Sequence, residues 1–453
     1  QKPDGWIDWK PGQPLLPTQE STLCPPLLAR LAWTLFQYTE DEAFLRESLP
    51  KLVRFFNRWL QPDRDADSDG IPEWQSEAQM GYAFLPTFAT WQTWGQGADI
   101  HTVETPDMIA YLVSEAHSLH EIATYLWDEK RLQQIKPQLD RLTTALESLW
   151  DMKAQRYTYR DRDTHSTQAG QVLFSEARGL ETIPVAAELK PAARIILRVK
   201  GGTDVQPNCT FTLEGLDPSG APQTEKLEGS ALTWVRGQGV ITSHHTFSQL
   251  DRVKVDRLSR VYMVDVLTLD TSREDLTHYL PLWAGGLSAE RAATLISRLM
   301  DSNAFWQATG MPMVPATDPN YDPSNADGGG GIWPYWQTLL GEGLLEHGAI
   351  EQATELYKRL LNAQATTMRQ HKAFREFYHA DRPEGLGDRR LSGIPSLHLL
   401  LRVLGVRIIS PTRVWTGGTF AWGRPVKITQ HGITVERTAE QTVITFPGAD
   451  PIT

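Results

Sequence analysis

Asp63-Arg64-Asp65-Ala66-Asp67-Ser68-Asp69-Gly70-Ile71-Pro72-Glu73-Trp74 opens a stretch that continues as QSEAQMGYAFLPTFATWQTWGQGADIHTVETPD to Asp107. Its first part places carboxylates at every second position from Asp63 to Asp69, followed by Gly70 and Glu73. Its second part lacks helical period, is rich in Trp, Gly and Gln, and ends in Gly97-Ala98-Asp99-Ile100-His101. A helix is expected to start near Pro106, where a missing N–H costs little. A long, aromatic, carboxylate-bearing loop set between helices is the form of a cleft at the end of a helical scaffold.

The flanks of this stretch carry the scaffold. From about Pro25 to Tyr38, Leu28, Leu31, Leu35 and Phe36 keep helical spacing. A second helix is expected from about Glu40 to Leu60, with Leu45, Leu49, Leu52, Phe55, Phe56 and Leu60 on one face. Two more are expected at roughly 106–127 and 129–150. Near residue 183 the period changes to alternation: Ile195 to Val199, Thr210 to Leu213, Val240 to Thr242 and Val261 to Val264 read as strands, punctuated by Gly201-Gly202 and Pro218-Ser219-Gly220. Helical period returns near 274, with helices expected at 288–301, 334–348, 350–367 and 391–404. After Ile408 the chain reads as strands to its end. Helix pairs without intervening strands suggest an α/α toroid. The expected fold is therefore mainly α, an (α/α)6 barrel with about ten of its twelve helices visible. Its first part spans 1–183 and its second 271–408, with a β-sandwich-like insertion at 184–270 and a small C-terminal β appendage at 409–453.

Composition excludes several classes. A net charge of −11 argues against a nucleic-acid binder, which should show a basic face. No apolar run reaches about 18 residues, so no membrane span is expected. No signal-peptide pattern is visible, which leaves the compartment open and leans toward the cytoplasm. The oligomeric state is not encoded in any visible pattern. The two cysteines, Cys24 and Cys209, lie too far apart for a metal motif and read as buried thiols. Sixteen tryptophans are many, and several stand in Gly- and Pro-rich loops, where stacking on a ligand competes with packing as their purpose.

Asp65-x-Asp67-x-Asp69-Gly70 matches the first half of a calcium loop: carboxylates at positions 1, 3 and 5, with glycine turning the chain at 6. The carbonyl of Ile71 would be the next ligand. Ser76 stands where a bidentate Glu is expected, so Glu73 is the substitute. The plainer alternative is a solvated acidic turn, in which four packed Asp would repel one another. Further along, Ala373-Phe374-Arg375-Glu376-Phe377-Tyr378-His379 precedes Pro383-Glu384-Gly385-Leu386-Gly387. A carboxylate between aromatics before a glycine-rich loop suits a base in a sugar cleft; alone, a surface Glu paired to Arg375 would serve as well.

Taken in order, Trp333-Pro334-Tyr335-Trp336, the helix ending Gly343-Leu344-Leu345-Glu346-His347-Gly348, and Phe374 to Tyr378 through Glu384-Gly385-Leu386-Gly387 to Leu391-Ser392-Gly393 resemble the C-terminal half of the barrel in glycoside hydrolase family 63. Its relatives include the family 37 trehalases and bacterial mannosylglycerate and glucosylglycerate hydrolases. The Asp65–Trp74 run resembles that group's calcium loop. The resemblance implies a structural Ca²⁺ and a general base at Glu376, with Phe377 replacing the usual Tyr. It also implies an acid Asp in a Ser-Gly-aromatic-Asp segment after the calcium loop. Here that segment reads Met80-Gly81-Tyr82-Ala83-Phe84-Leu85, without a carboxylate. Asp99 is the nearest replacement, against a plain role in capping its loop. Glu77 and Asp163 are further candidates. Trp91, Trp94, Trp333 and Trp336 are expected to rim the cleft and stack on a sugar ring, with Gln96, His101 and Tyr378 bonding its hydroxyls.

The resulting expectation is a glycosidase that inverts an α-linked glucoside or mannoside in an oligosaccharide or small glycoside. Two alternatives stand beside it: a carbohydrate-binding barrel that has lost its acid, and a toroid polysaccharide lyase using Tyr378 and His379.

Overall fold

The computed structural model describes Gly5 and residues 25–81, 85–90, 92, 94–201, 204–325 and 329–453, without the side chain of Ala78. Cys24 and Trp91 lie outside the described residues. Among the described residues are ten α-helical segments, two of which, Glu77–Met80 and Pro281–Ala284, are single turns.

The helices come as inner and outer partners. Pro106–Tyr125 is buried on nearly every side, including Asp107, Ser114 and Glu115, whereas the following Glu129–Ser148 buries only Ile135, Leu142 and Leu146. Pro334–Glu346 likewise buries most of its length. A helix apolar or enclosed all round belongs at the centre of a layer, and an amphipathic one on its outside. Glu42–Trp59 is outer and opens on an Asp41 cap that accepts the Phe44 N–H at 3.0 Å. Its buried Leu45, Leu49, Leu52, Phe55 and Phe56 are the face expected from their spacing. No helix is long and apolar enough to cross a membrane, among the described residues.

The β-rich region is larger and simpler than a sandwich. It is one seven-stranded antiparallel sheet that begins at Val172–Ala177, before the expected boundary, and ends at Met263–Thr268. Two strands of 19 residues, Thr182–Lys200 and Gln238–Asp256, form its spine. Their ladder breaks register between Thr242 and Thr246, Phe247 and Gln249, and Leu250 and Arg252. Such bulges bend a sheet, and here residues from both ends of the strands, Ile195, Leu197, Phe247, Leu250 and Val253, share one core. With helix at 35% and strand at 26%, the chain is mixed rather than mainly α.

The sheet is fastened to the barrel. Buried Arg194 pairs with Asp161 at 2.6 Å and with Asp163, both on a barrel loop. Arg198 donates to the Gly95 carbonyl at 2.6 Å. The C-terminal segment forms a hairpin, Val406–Ser410 with Arg413–Thr416, and a three-stranded sheet from Val426 to Thr445. Arg437 ties it to the barrel by donating to the carbonyls of Leu404 and Gly405.

Candidate active site

The acidic loop is drawn into the barrel by Trp74. Its indole lies edge-on to Trp59 and Tyr111, with centroids at 5.7 and 6.1 Å, and its Nε1 faces Asp107 Oδ1 at 3.4 Å. Each Asp also closes its own turn: Asp65 accepts from Gly70 N–H, Asp67 from Asp69 N–H, and Asp69 from Ile71 N–H. What remains is a set of oxygens without donors. Asp65 Oδ1, Asp67 Oδ2 and Glu73 Oε1 are buried and accept no hydrogen bond, and ligand atoms of these three residues lie within 4.8 Å of one another. Glu73 is 2% exposed, and burial pushes its carboxyl up to about 8. Oxygens only, converging and without donors, are the donor set of a hard cation, so these residues fit Ca²⁺. The expected ligand set changes in one place. Asp69 is not one of the three residues whose ligand atoms converge here; its second oxygen lies 2.7 Å from Arg160, on the side of Glu104 and His165. Ile71 is buried, and its N–H donates to Asp69 Oδ1 at 2.8 Å.

Directly after this loop, the turn Glu77–Met80 carries Glu77 into a cavity of about 550 Å³ between barrel and sheet. Gln75, Asp99 and His101 line it from the barrel, Thr242 and His244 from the sheet. Burial alone pushes Glu77 up to about 8. Asp99 behaves oppositely. Burial pushes it up, but hydrogen bonds from the His101 backbone and ring, the latter 2.7 Å away, outweigh that and hold it below the usual carboxylate range. Asp99 also caps the short helix Ile100–Thr102, and its own N–H donates to Thr242 Oγ1 at 2.9 Å. In the structure Asp99 braces its loop on the sheet, and the hydrogen bonds from His101 favour its ionised form over the protonated form that a general acid needs.

Glu376 stands on the hairpin Arg375–Tyr378 and Gly385–Arg389. Its Oε1 is 3.2 Å from Arg390 and its Oε2 3.4 Å from the Asp388 N–H. Gly387 has φ +70, and a Cβ there would meet Phe377 at 2.7 Å and Glu376 Oε2 at 2.9 Å. Only glycine lets the hairpin close over the carboxylate. Phe377 stacks on Trp333 with centroids 4.9 Å apart. Tyr378 exchanges backbone hydrogen bonds with Ile332 at 2.8 and 2.9 Å, which knits the hairpin to the Trp333 loop.

Three of the expected sugar contacts are structural instead. Tyr378 is fully buried and donates to the Gly393 carbonyl. Trp336 is 1% exposed and belongs to the barrel core. Gln96 donates to Thr268 O and accepts from Asp270 N–H, both at 2.8 Å, stapling its loop to the last strand of the sheet. Trp94 and Trp333 stay partly exposed in their loops, Trp94 beside Gly329. Glu376 is not among the residues lining the Glu77 cavity.

Sequence reasoning ranked Glu77 below Asp99, because spacing carries no information on burial. It passed over Glu104 and His165 altogether. Both converge on the acidic loop from distant positions, ligand atoms of Asp67, Asp69, Glu104 and His165 lying within 4.8 Å of one another. It also missed the carboxyls at the barrel centre. Fully buried Asp107 and Asp275 are pushed up by burial to about 6 and about 7, and Tyr159 donates to Asp275 at 2.8 Å.

Similar structures share this architecture. An uncharacterized conserved protein from Thermus thermophilus superposes with a TM-score of 0.54 at 17% identity, covering 89% of this chain and 84% of its own. The GH63 mannosylglycerate hydrolase from Thermus thermophilus, solved with glucose, gives 0.52 at 17% identity with the same coverage. A protein titled sialidase gives 0.57 at 12% identity, covering 97% of this chain and 31% of its own. These likenesses identify an (α/α)6 barrel-type fold joined to a β-rich region. No curated protein matches. The family model for the mannosylglycerate hydrolase MGH1-like glycoside hydrolase domain matches residues 2–204 and 246–392, well over half of the chain. The chain therefore belongs to the MGH1-like glycoside hydrolases and is a glycosidase.

Proposed function

We propose that this glycosidase cleaves a small α-linked glucoside or mannoside with inversion, using Glu77 as general acid and Glu376 as general base. The observation that carries the reading is the contrast between the surroundings of the two carboxyls. Burial raises Glu77 to about 8, so it holds a proton at neutral pH. Glu376 faces the Arg390 guanidinium and a backbone N–H, the partners that a carboxylate takes. Two carboxyls in such unlike settings are the working parts of an acid and base pair. Glu77 would protonate the leaving oxygen while Glu376 activates water on the other face of the ring. Inverting glycosidases hold their acid and base about 6.5–9.5 Å apart, with room for a water between them.

Trp333, stacked on Phe377 beside the base, would offer its face to the pyranose, with Trp94, beside Gly329, as a second stacking surface. A Ca²⁺ held by Asp65, Asp67 and Glu73 would supply the charge that fixes the loop preceding Glu77. The barrel would be a complete six-pair toroid.

The test is a panel of α- and β-linked disaccharides and small glycosides, including mannosylglycerate, with the anomeric protons followed by NMR. Inversion predicts that an α-linked substrate first releases the β-anomer. First release of the α-anomer would refute this assignment of roles.

A further inference from the structure

Beside the calcium trio, Asp67, Asp69, Glu104 and His165 bring four side chains from three separate segments onto one point. The distances are unlike those of hydrogen bonds. His165 Nδ1 stands 3.5 Å from Glu104 Oε1 and 3.6 Å from Asp69 Oδ2, and His165 Nε2 stands 3.5 Å from Asp67 Oδ2. Ligands held at about 2.0–2.2 Å around a tetrahedral ion are separated by roughly 3.4 Å, close to the two gaps from His165 Nδ1, the nitrogen that would face an ion shared with Glu104 and Asp69; one ligand atom from each of the four residues lies within 4.8 Å of the others.

A second observation concerns Glu104 alone. It is 0% exposed, and one of its oxygens binds Arg160 while the other, Oε1, is buried, accepts no hydrogen bond and faces the imidazole. Arg160 also reaches Asp69. One guanidinium therefore serves two of the five carboxylates crowded here: Asp65, Asp67, Asp69, Glu73 and Glu104. A hard cation in the trio would take oxygens and leave the imidazole unused. A nitrogen donor added to carboxylates suits a borderline divalent ion. The loop carrying His165 is already held in place: Asp161, paired to Arg194, accepts from the N–H groups of Asp163 and Thr164 at 3.0 and 2.9 Å. Ligands braced in this way are a regular feature of metal sites.

We propose that Asp67, Asp69, Glu104 and His165 form a second cation site, for a borderline divalent ion such as Zn²⁺, joined to the Ca²⁺ site through Asp67. The alternative is that His165 is only a counter-charge to the acidic loop.

The experiment uses the full chain, stripped with chelator, reloaded with saturating Ca²⁺ and titrated with Co²⁺ as a coloured stand-in for Zn²⁺. The expected result is one equivalent of Co²⁺ bound with visible absorption bands, displaced by Zn²⁺ but not by more Ca²⁺. His165→Ala should weaken Co²⁺ binding at least about tenfold, the usual scale for losing a metal-site interaction, while keeping the rise in melting temperature on adding Ca²⁺. Glu104→Gln should do the same, and His165→Gln serves if the alanine variant does not fold. Absence of Co²⁺ binding to the Ca²⁺-loaded chain would overturn the proposal. So would displacement by Ca²⁺ one for one, or binding unchanged in the His165 variants.

Discussion

Replacing Glu77 by Gln tests the proposed acid directly, because the substitution keeps the shape and removes the proton. With its carboxyl at about 8, Glu77 would be roughly nine-tenths protonated at pH 7 and about one-tenth at pH 9. Wild-type turnover of a glycoside whose leaving oxygen needs a proton should therefore fall about tenfold per pH unit above 8. In Glu77→Gln turnover at pH 7 should drop by about 10²–10⁴-fold and the alkaline limb should vanish. A glycosyl fluoride, whose leaving group departs unaided, should be largely spared. Stability offers an independent readout. A carboxyl raised by folding binds a proton that the unfolded chain has already lost between about pH 4.5 and 8. Folding stability from this group is therefore present at low pH and lost as pH rises through that window. Glu77→Gln lacks that slope, so its melting temperature should gain on wild type as pH rises from 5 to about 8. A wild-type profile without an alkaline limb near 8, together with equal losses on glycoside and fluoride in the variant, would refute the assignment. An unchanged melting comparison across pH would refute the burial argument beneath it.

Other expectations follow from the same geometry. Asp99→Asn should keep turnover of glycosides within about tenfold of wild type, since its hydrogen bonds to His101 brace a loop rather than deliver a proton; steady-state kinetics on natural and fluoride substrates would show a selective glycoside loss if this is wrong. Glu376→Gln should slow both substrate types by at least about 10²-fold, because water must still be activated; wild-type rates would make Glu376 a bracing residue for Arg390. Arg194→Met leaves Asp161 buried without its cation and should cost about 3–5 kcal/mol, measured by urea unfolding; a loss under about 1 kcal/mol would mean the sheet is held elsewhere. Ca²⁺ at about a thousand times its dissociation constant should stabilise the stripped chain by about 4 kcal/mol, and Asp67→Ala should abolish the gain; identical melting curves with chelator and with Ca²⁺ would reduce Asp65, Asp67 and Glu73 to an acidic turn.

What the sequence determined by itself is what local periodicity encodes. Leu45, Leu49, Leu52, Phe55 and Phe56 can share a face only on a helix, and that face is the buried one of Glu42–Trp59. The short, β-branched apolar run from Ile195 to Val199, bounded by Gly201-Gly202, reads as strand, and it lies within the sheet's spine. The spacing of Asp65, Asp67 and Asp69 ahead of Gly70 was enough to mark an oxygen-rich turn. The helix, glycine and hairpin motifs around Glu376, read in order, were enough to indicate the family that the matching model shows. All of these are properties of residues a few positions apart, where backbone geometry dictates who faces whom.

Tertiary structure decided everything that depends on distant neighbours. Trp336, Tyr378 and Gln96 stand in aromatic or polar stretches that read as cleft, yet packing turned each inward to a core, a carbonyl or a strand. Asp69 fits the spacing of a calcium ligand, but folding groups it with Glu104, His165 and Arg160, 91 positions away, rather than with Asp65 and Glu73. Sequence put Asp99 ahead of Glu77 as an acidic residue after the loop, with no view of what surrounds either. Hydrogen bonds from His101 favour the ionised form of one, while burial between barrel and sheet pushes the other up to about 8. Glu104 and His165 join the acidic loop only because the chain returns to it twice. The physical reason is common to all of these: proton affinity, burial and ion pairing are set by which charges and apolar surfaces folding brings within a few ångström, and no local pattern records that.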